Sequence, residues 1–243
     1  MFLFQDPQRL VMLALVLMIS LTVHEFAHAW SAYLLGDDTA HREGRVSLNP
    51  LVHLDLMGSL CFLVSGMFGW AKPVPVNPRF FKHPRRDDII VTGAGPLSNL
   101  ILGTISMIIL CVILLNSSEF SVYYKLYNAQ NSFQILLQSF VENQQKTFIN
   151  SFLLLMIFAN YSLAFFNLIP LFPLDGSHIV QNLLPLRQAD EFRRFNDQWG
   201  PWVLLALILA PSFTQGAVDP VGWFITTPVR GIINTLGMLF FHG

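Results

Sequence analysis

Long apolar runs separated by short polar stretches set the pattern of this chain, and a helix needs about 20 mostly apolar residues to cross a bilayer. The first run, Leu10 to about Leu35, meets that length even with a polar insertion inside it. A polar stretch from Gly36 to Leu54 follows, carrying Asp37, Asp38, Arg42, Glu43 and Arg45. The next run, Leu56 to Trp70, is short and holds Gly58, Gly66 and Gly69, which predicts a re-entrant or broken helix packed against protein. Ile89 to Leu115 and Phe148 to Leu168 are long enough to span, and Pro170-Leu-Phe-Pro173 stops the second as a regular helix. The connection 117–146 reads as an external loop with interfacial Tyr123, Tyr124 and Tyr127. Trp202 to Ala210, bounded by Pro201 and Pro211, and Val221 to Phe241, interrupted by Pro228 and Arg230, either span or lie partly in the interface. The expectation is an α-helical polytopic membrane protein of about five to six membrane segments, with a short re-entrant or β-like segment after the first helix. Without an internal repeat or a soluble module, 1–243 reads as one membrane-embedded domain, its core at 10–180 and its C-terminal helices at 199–243.

Charge orients these runs. Lys72, Arg79, Lys82, Arg85 and Arg86 make 71–88 the densest positive stretch, which the positive-inside rule assigns to the cytoplasm, and Arg187, Arg193 and Arg194 place 186–198 there too. With 56–70 re-entrant, 36–54 is also cytoplasmic and the first helix runs inward. Composition agrees with a membrane protein: of 243 residues, 53% are hydrophobic and 12% charged, with mean hydropathy +0.51, against about 25% charged in an average globular chain. The net charge of -1 comes without a basic block beside an aromatic platform, so nucleic acid is not an expected partner. Cys61 and Cys111 both lie in apolar segments and predict neither a disulfide framework nor a cysteine metal site. Met1 to Gln8 lacks the basic region of a signal peptide. The chain is therefore expected as a multi-pass protein of a bacterial-type cell membrane, in contact with lipid.

The polar insertion in the first run is His24-Glu25-Phe26-Ala27-His28. Histidines four apart share one helix face, and ionisable groups at bilayer depth cost on the order of 2.5–3.5 kcal/mol each, so something should compensate them. A metal ion is the obvious candidate. Catalytic zinc takes three protein ligands and leaves a position for water. Asp175 is the best third ligand: it follows the proline-broken run and precedes Gly176, where irregular backbone at membrane depth must line a cavity. The charge-derived topology brings His24, His28 and Asp175 to the cytoplasmic half, with His28 roughly 10 Å from the end of its helix at 1.5 Å per residue. Glu25 would then be the general base toward an attacking water.

The chain resembles the site-2 protease family of intramembrane zinc metalloproteases over roughly residues 20–180. The resemblance rests on His24 to His28, Gly44-Arg-Val-Ser-Leu-Asn-Pro50, Lys72-Pro-Val-Pro-Val-Asn77, Gly93-Ala-Gly-Pro-Leu-Ser-Asn99 and Asn167 through Gly176. It implies one Zn²⁺ per chain held by His24, His28 and Asp175, with Glu25 activating water and Asn167 holding the substrate or polarising its carbonyl. It also implies a transmembrane protein as substrate, cleaved within or near its membrane segment on the cytoplasmic side, by a compact branch without PDZ or CBS modules. A membrane metal transporter and a non-catalytic scaffold are the alternatives. Convergence of the polar groups at one depth disfavours the first, and Glu25 disfavours the second.

Other residues have open readings. Asn99 either bonds across helices or lines a cavity, and His178 either sits behind the metal or merely opens a helix among polar neighbours. His41, His53 and His83 fall in loops, where solvated histidine is favoured. Gly44 to Leu48 and Val74 to Asn77 alternate enough to be short strands, whose edge could pair with an unwound substrate.

Overall fold

The computed structural model describes residues 7–58, 71–116 and 148–241. In hydrocarbon a backbone N–H or C=O can pair only within the protein, so apolar runs become helices. The first, α1 (Pro7–Leu34), stops where Gly36 adopts φ +103°. There Gly36 N–H donates to Tyr33 O and Asp37 N–H to Ala32 O, the paired bonds of a glycine-closed helix end. A single turn, α2 (Thr39–Arg42), follows. The remaining helices are α3 (Pro84–Leu115), α4 (Phe148–Asn167), α5 (Asp175–Leu183), α6 (Leu186–Phe213) and α7 (Pro220–Phe241).

Among the described residues, three helices can cross a membrane by length and composition: Leu10–Leu34 of α1, all of α3 and all of α4. These agree with the three long runs in the sequence. The bulk of the core lies between α3 and α4, where Met107, Leu110, Cys111 and Leu114 meet Leu153, Leu154, Ile157 and Tyr161, with Val229 and Ile233 of α7 closing it. Close approach is set at Gly103, where a Cβ would stand 3.0 Å from the Tyr161 ring. The Tyr161 hydroxyl is paired with Thr104 Oγ1 at 3.0 Å, which satisfies its polar tip inside the bundle.

Two expectations change. Gly44 to Leu48 and Val74 to Asn77 do not form strands. Among the described residues the only β pairing is an isolated antiparallel bridge between Leu54 and Ala71, extended by a Lys72 N–H bond to His53 O at 2.7 Å. The physical reason has two parts: Pro73 and Pro75 have no N–H to give, and the buried Arg45 guanidinium, distant in sequence, takes the Pro73 and Lys72 carbonyls at 3.1 and 2.5 Å. The C-terminal prolines also fail to break their helices. Pro201 and Pro211 lie inside α6, which joins 186–198 and 202–210 into one rod, and Pro228 lies inside α7. Past Gly58 the expected re-entrant segment lies outside the described residues, as do Cys61 and the external connection 117–146.

Candidate metal centre

His24 and His28 sit one turn apart on α1 and are both buried. Asp175 is the first residue of α5, reached after α4 ends at Asn167 and the chain turns through 168–174. Gly176 permits that approach, because a Cβ there would collide with Leu168 O and Ile169 O. The three side chains converge, each offering one ligand atom within 4.8 Å of the others. His24 Nε2 lies 3.2 Å from Asp175 Oδ2, His28 Nε2 lies 3.5 Å from Oδ1, and the two Nε2 atoms are 3.0 Å apart.

The hydrogen bonds behind the rings fix their tautomers. His28 Nδ1 is 2.7 Å from Val91 O, a carbonyl that can only accept, so Nδ1 carries the proton. His24 Nδ1 is 2.6 Å from Asn99 Oδ1. The Asn99 amide is oriented by its own donations to Ser20 O at 3.1 Å and Asn160 Oδ1 at 2.8 Å, so its oxygen faces the imidazole. Both Nε2 atoms therefore turn lone pairs toward each other and toward the carboxylate, whose buried Oδ2 has no hydrogen-bond partner. Such a cluster needs positive charge at its centre, from a second imidazole proton or from a metal ion. Two imidazoles and one carboxylate are a common donor set for catalytic zinc, with Nδ1 groups anchored behind it, so these residues fit the ion.

Glu25 shares a cavity of about 1020 Å³ with all three residues. Among the described residues its carboxylate makes no hydrogen bond or ion pair, which leaves it free to handle a proton. Asn167 lines the same cavity; one of its amide hydrogens goes to Leu163 O at 3.0 Å, and the other is free to point inward. Pro73, Val74 and Val76 also line the cavity. His178 lies on the cavity wall with its side chain exposed. His41 and His83 are exposed as expected, but His53 is only 2% exposed and its Nε2 bonds Ser47 O at 2.7 Å, because it is folded under the turn that 47–53 makes.

Of the two readings of Asn99, the bond across helices holds. Other contributors escaped the sequence reading: fully buried Asn160 continues the Asn99 network into α4. A lone asparagine in an apolar span was the available signal. Gly95 faces the imidazoles, where a Cβ would collide with His28 Nε2 and lie 2.6 and 2.7 Å from His28 Cε1 and His24 Cε1. At the far end of α5, Arg85 donates to Gln181 O at 3.1 Å and to Leu184 O, and Asp88 accepts from Asn182 at 2.5 Å.

Residues 12–210 match the sequence profile described as Peptidase family M50. A Bacillus subtilis (strain 168) protein named "Putative zinc metalloprotease YwhC" is 41% identical over 210 residues, covering 86% of this chain and 85% of that protein. A Mycolicibacterium smegmatis (strain ATCC 700084 / mc(2)155) protein named "Putative zinc metalloprotease Rip2" is 26% identical over 211 residues, or 85% of this chain and 70% of that protein. No solved structure matches the chain significantly.

Proposed function

Because this chain belongs to peptidase family M50, we propose that it is a zinc metalloprotease that hydrolyses peptide bonds within or near transmembrane segments of membrane proteins. The observation that carries this reading is the convergence of His24, His28 and Asp175 on the wall of a cavity shared with Glu25, between helices long enough to span a bilayer. In it, His24 Nε2, His28 Nε2 and the Asp175 carboxylate hold one zinc per chain. Zinc bound there would lower the pKa of a coordinated water and polarise a peptide carbonyl.

The other steps belong to the chain's own groups. The Glu25 carboxylate takes a proton from the attacking water and returns it to the leaving amine nitrogen. The free amide hydrogen of Asn167 supports the scissile carbonyl oxygen or a neighbouring carbonyl of the substrate. Asn99 Oδ1 and Val91 O hold both imidazoles by their Nδ1 protons, so neither ring can turn away. A substrate helix must unwind before its backbone can be attacked, and 73–76 is a suitable wall for the unwound stretch. Pro75 cannot donate there, and the N–H and carbonyl groups of Val74 and Val76 make no hydrogen bond among the described residues, so a substrate strand could pair with them.

Orientation is part of the proposal. The α1 C-terminus and 72–88 lie together: Asp37 accepts from Asn77 N–H at 2.6 Å, and Arg85 reaches α5. Lys72, Arg79, Lys82, Arg85 and Arg86 thus cluster at the end of α1 nearer His28 than His24, which supports an active site toward the cytoplasm. The bridge between Leu54 and Ala71 brings both ends of the intervening segment together, which supports its reading as re-entrant. A single membrane domain in contact with lipid follows from the same reading.

The test is a purified chain in detergent or liposomes with a single-span substrate. It should contain about one zinc per chain, and Glu25→Gln should retain the metal while cleavage is lost. Proteolysis that persists in Glu25→Gln refutes the mechanism, and zinc flux into liposomes without cleavage would replace it with transport.

A further inference from the structure

Asp175 reaches the cavity at the start of a short helix that follows an irregular turn, so its position is only as fixed as that turn. Residues 170–172 make few backbone bonds of their own: Leu171 N–H goes to Ile169 O at 2.8 Å and Leu171 O accepts from Leu174 at 2.9 Å. Phe172 and Pro173 are exposed, so burial does little to hold them. What holds this turn comes from another helix. Asn196 of α6 is 3% exposed; its Oδ1 accepts from Phe172 N–H at 3.1 Å and its Nδ2 reaches Pro170 O at 3.4 Å. One amide thus spans both sides of Leu171. The fit leaves no slack, since at Gly200, one turn further along α6, a Cβ would sit 2.7 Å from Asn196 Oδ1 and 3.1 Å from Phe172 N.

We propose that Asn196 is a positioning residue for metal ligation, clamping the 170–172 turn so that the Asp175 carboxylate is held against His24 and His28. The inference rests on the reading of Asp175 as a zinc ligand and adds a role for α6, which supplies none of the groups assigned to catalysis above. It gives α6 a reason to be continuous. The polar half around Asn196 clamps the turn, while Leu204 beyond Pro201 packs against Ile169 and Leu174 on either side of it. Pairing both the N–H and the C=O of an exposed turn with a single buried amide removes two ways for the turn to open.

The experiment compares Asn196→Ala, Asn196→Asp, Asp175→Ala and, as a control, Arg187→Ala, which is exposed on the same helix. Each purified variant is titrated with zinc against a competing chelator, and hydrogen exchange at the Phe172 amide is followed in the metal-free protein. Asn196→Ala should bind zinc about tenfold more weakly, the lower end for residues supporting ligands, and should lose protection at Phe172. Asn196→Asp keeps an acceptor for Phe172 N–H but no donor for Pro170 O. It should restore the protection and part of the affinity, and it remains informative should the alanine variant fail to fold. Wild-type zinc affinity in Asn196→Ala, with affinity lost in Asp175→Ala, overturns the clamp alone. Wild-type affinity in Asp175→Ala overturns the ligand reading on which the clamp depends.

Discussion

Replacing Gly95 with alanine adds one methyl group in the place where α3 passes the two imidazoles. Built on the existing backbone, that carbon would lie 2.6 Å from His28 Cε1 and 2.7 Å from His24 Cε1, and closer still to His28 Nε2. Carbon atoms settle about 3.5–4.0 Å apart, so rings or helix would have to retreat by about 1 Å. The rings cannot swing freely, because Val91 O and Asn99 Oδ1 hold their Nδ1 atoms at 2.7 and 2.6 Å. Overpacking of this kind costs about 1–3 kcal/mol. If the strain falls on the liganding geometry, zinc affinity drops by about five- to 150-fold at 1.4 kcal/mol per decade. A misplacement of about 1 Å also lowers turnover on the order of a hundredfold. Gly93 is the built-in control: it lies on the same helix, yet a Cβ there would meet nothing within 4 Å. Chelator competition and single-turnover cleavage on both variants decide the matter. Gly95→Ala should lose affinity and rate while Gly93→Ala keeps both. Equal behaviour of the two, or wild-type zinc binding in Gly95→Ala, would refute the argument that α3 packs directly on the ligands.

Other consequences follow from the same geometry. Asn99→Ala removes the acceptor of the His24 Nδ1 proton and should weaken zinc binding about 10–100-fold, read by the same competition assay; unchanged affinity would mean the tautomer is fixed elsewhere. Arg45→Ala frees the Lys72 and Pro73 carbonyls, so limited proteolysis near 72–73 should accelerate and KM should rise while zinc content stays constant. Val74→Pro removes an N–H from the cavity wall and should raise KM several-fold for a helical substrate; cleavage at the wild-type rate would count against strand pairing there. Stripping the metal with a chelator should abolish cleavage, with activity restored by added zinc and with the helix content measured by circular dichroism unchanged, since the bundle core between α3 and α4 is apolar packing that includes none of the candidate ligands.

The amino-acid sequence by itself determined the three described helices long and apolar enough to cross a membrane, and it singled out the residues of the candidate site. Hydrophobic length decides spans because the bilayer leaves the backbone no partner but itself. Histidines one turn apart must share a helix face whatever the rest of the chain does, and Asp175-Gly176 after a proline-broken run was conspicuous for its polarity. Non-local relations were beyond its reach. That Asn99, Asn160 and Ser20 would meet behind His24 depends on how α1, α3 and α4 pack, and each asparagine alone is compatible with many partners. Arg45 looked like a loop cation, and only the fold buries it against two carbonyls, with short strands replaced by a side-chain tie. Pro201 and Pro211 looked like boundaries, whereas α6 runs through both. Asn196 gave no sign at all: its importance lies in two hydrogen bonds across 24 and 26 residues, a separation that no local pattern encodes. Periodicity and polarity report what a residue does to its own helix; which helix it reaches is decided by packing.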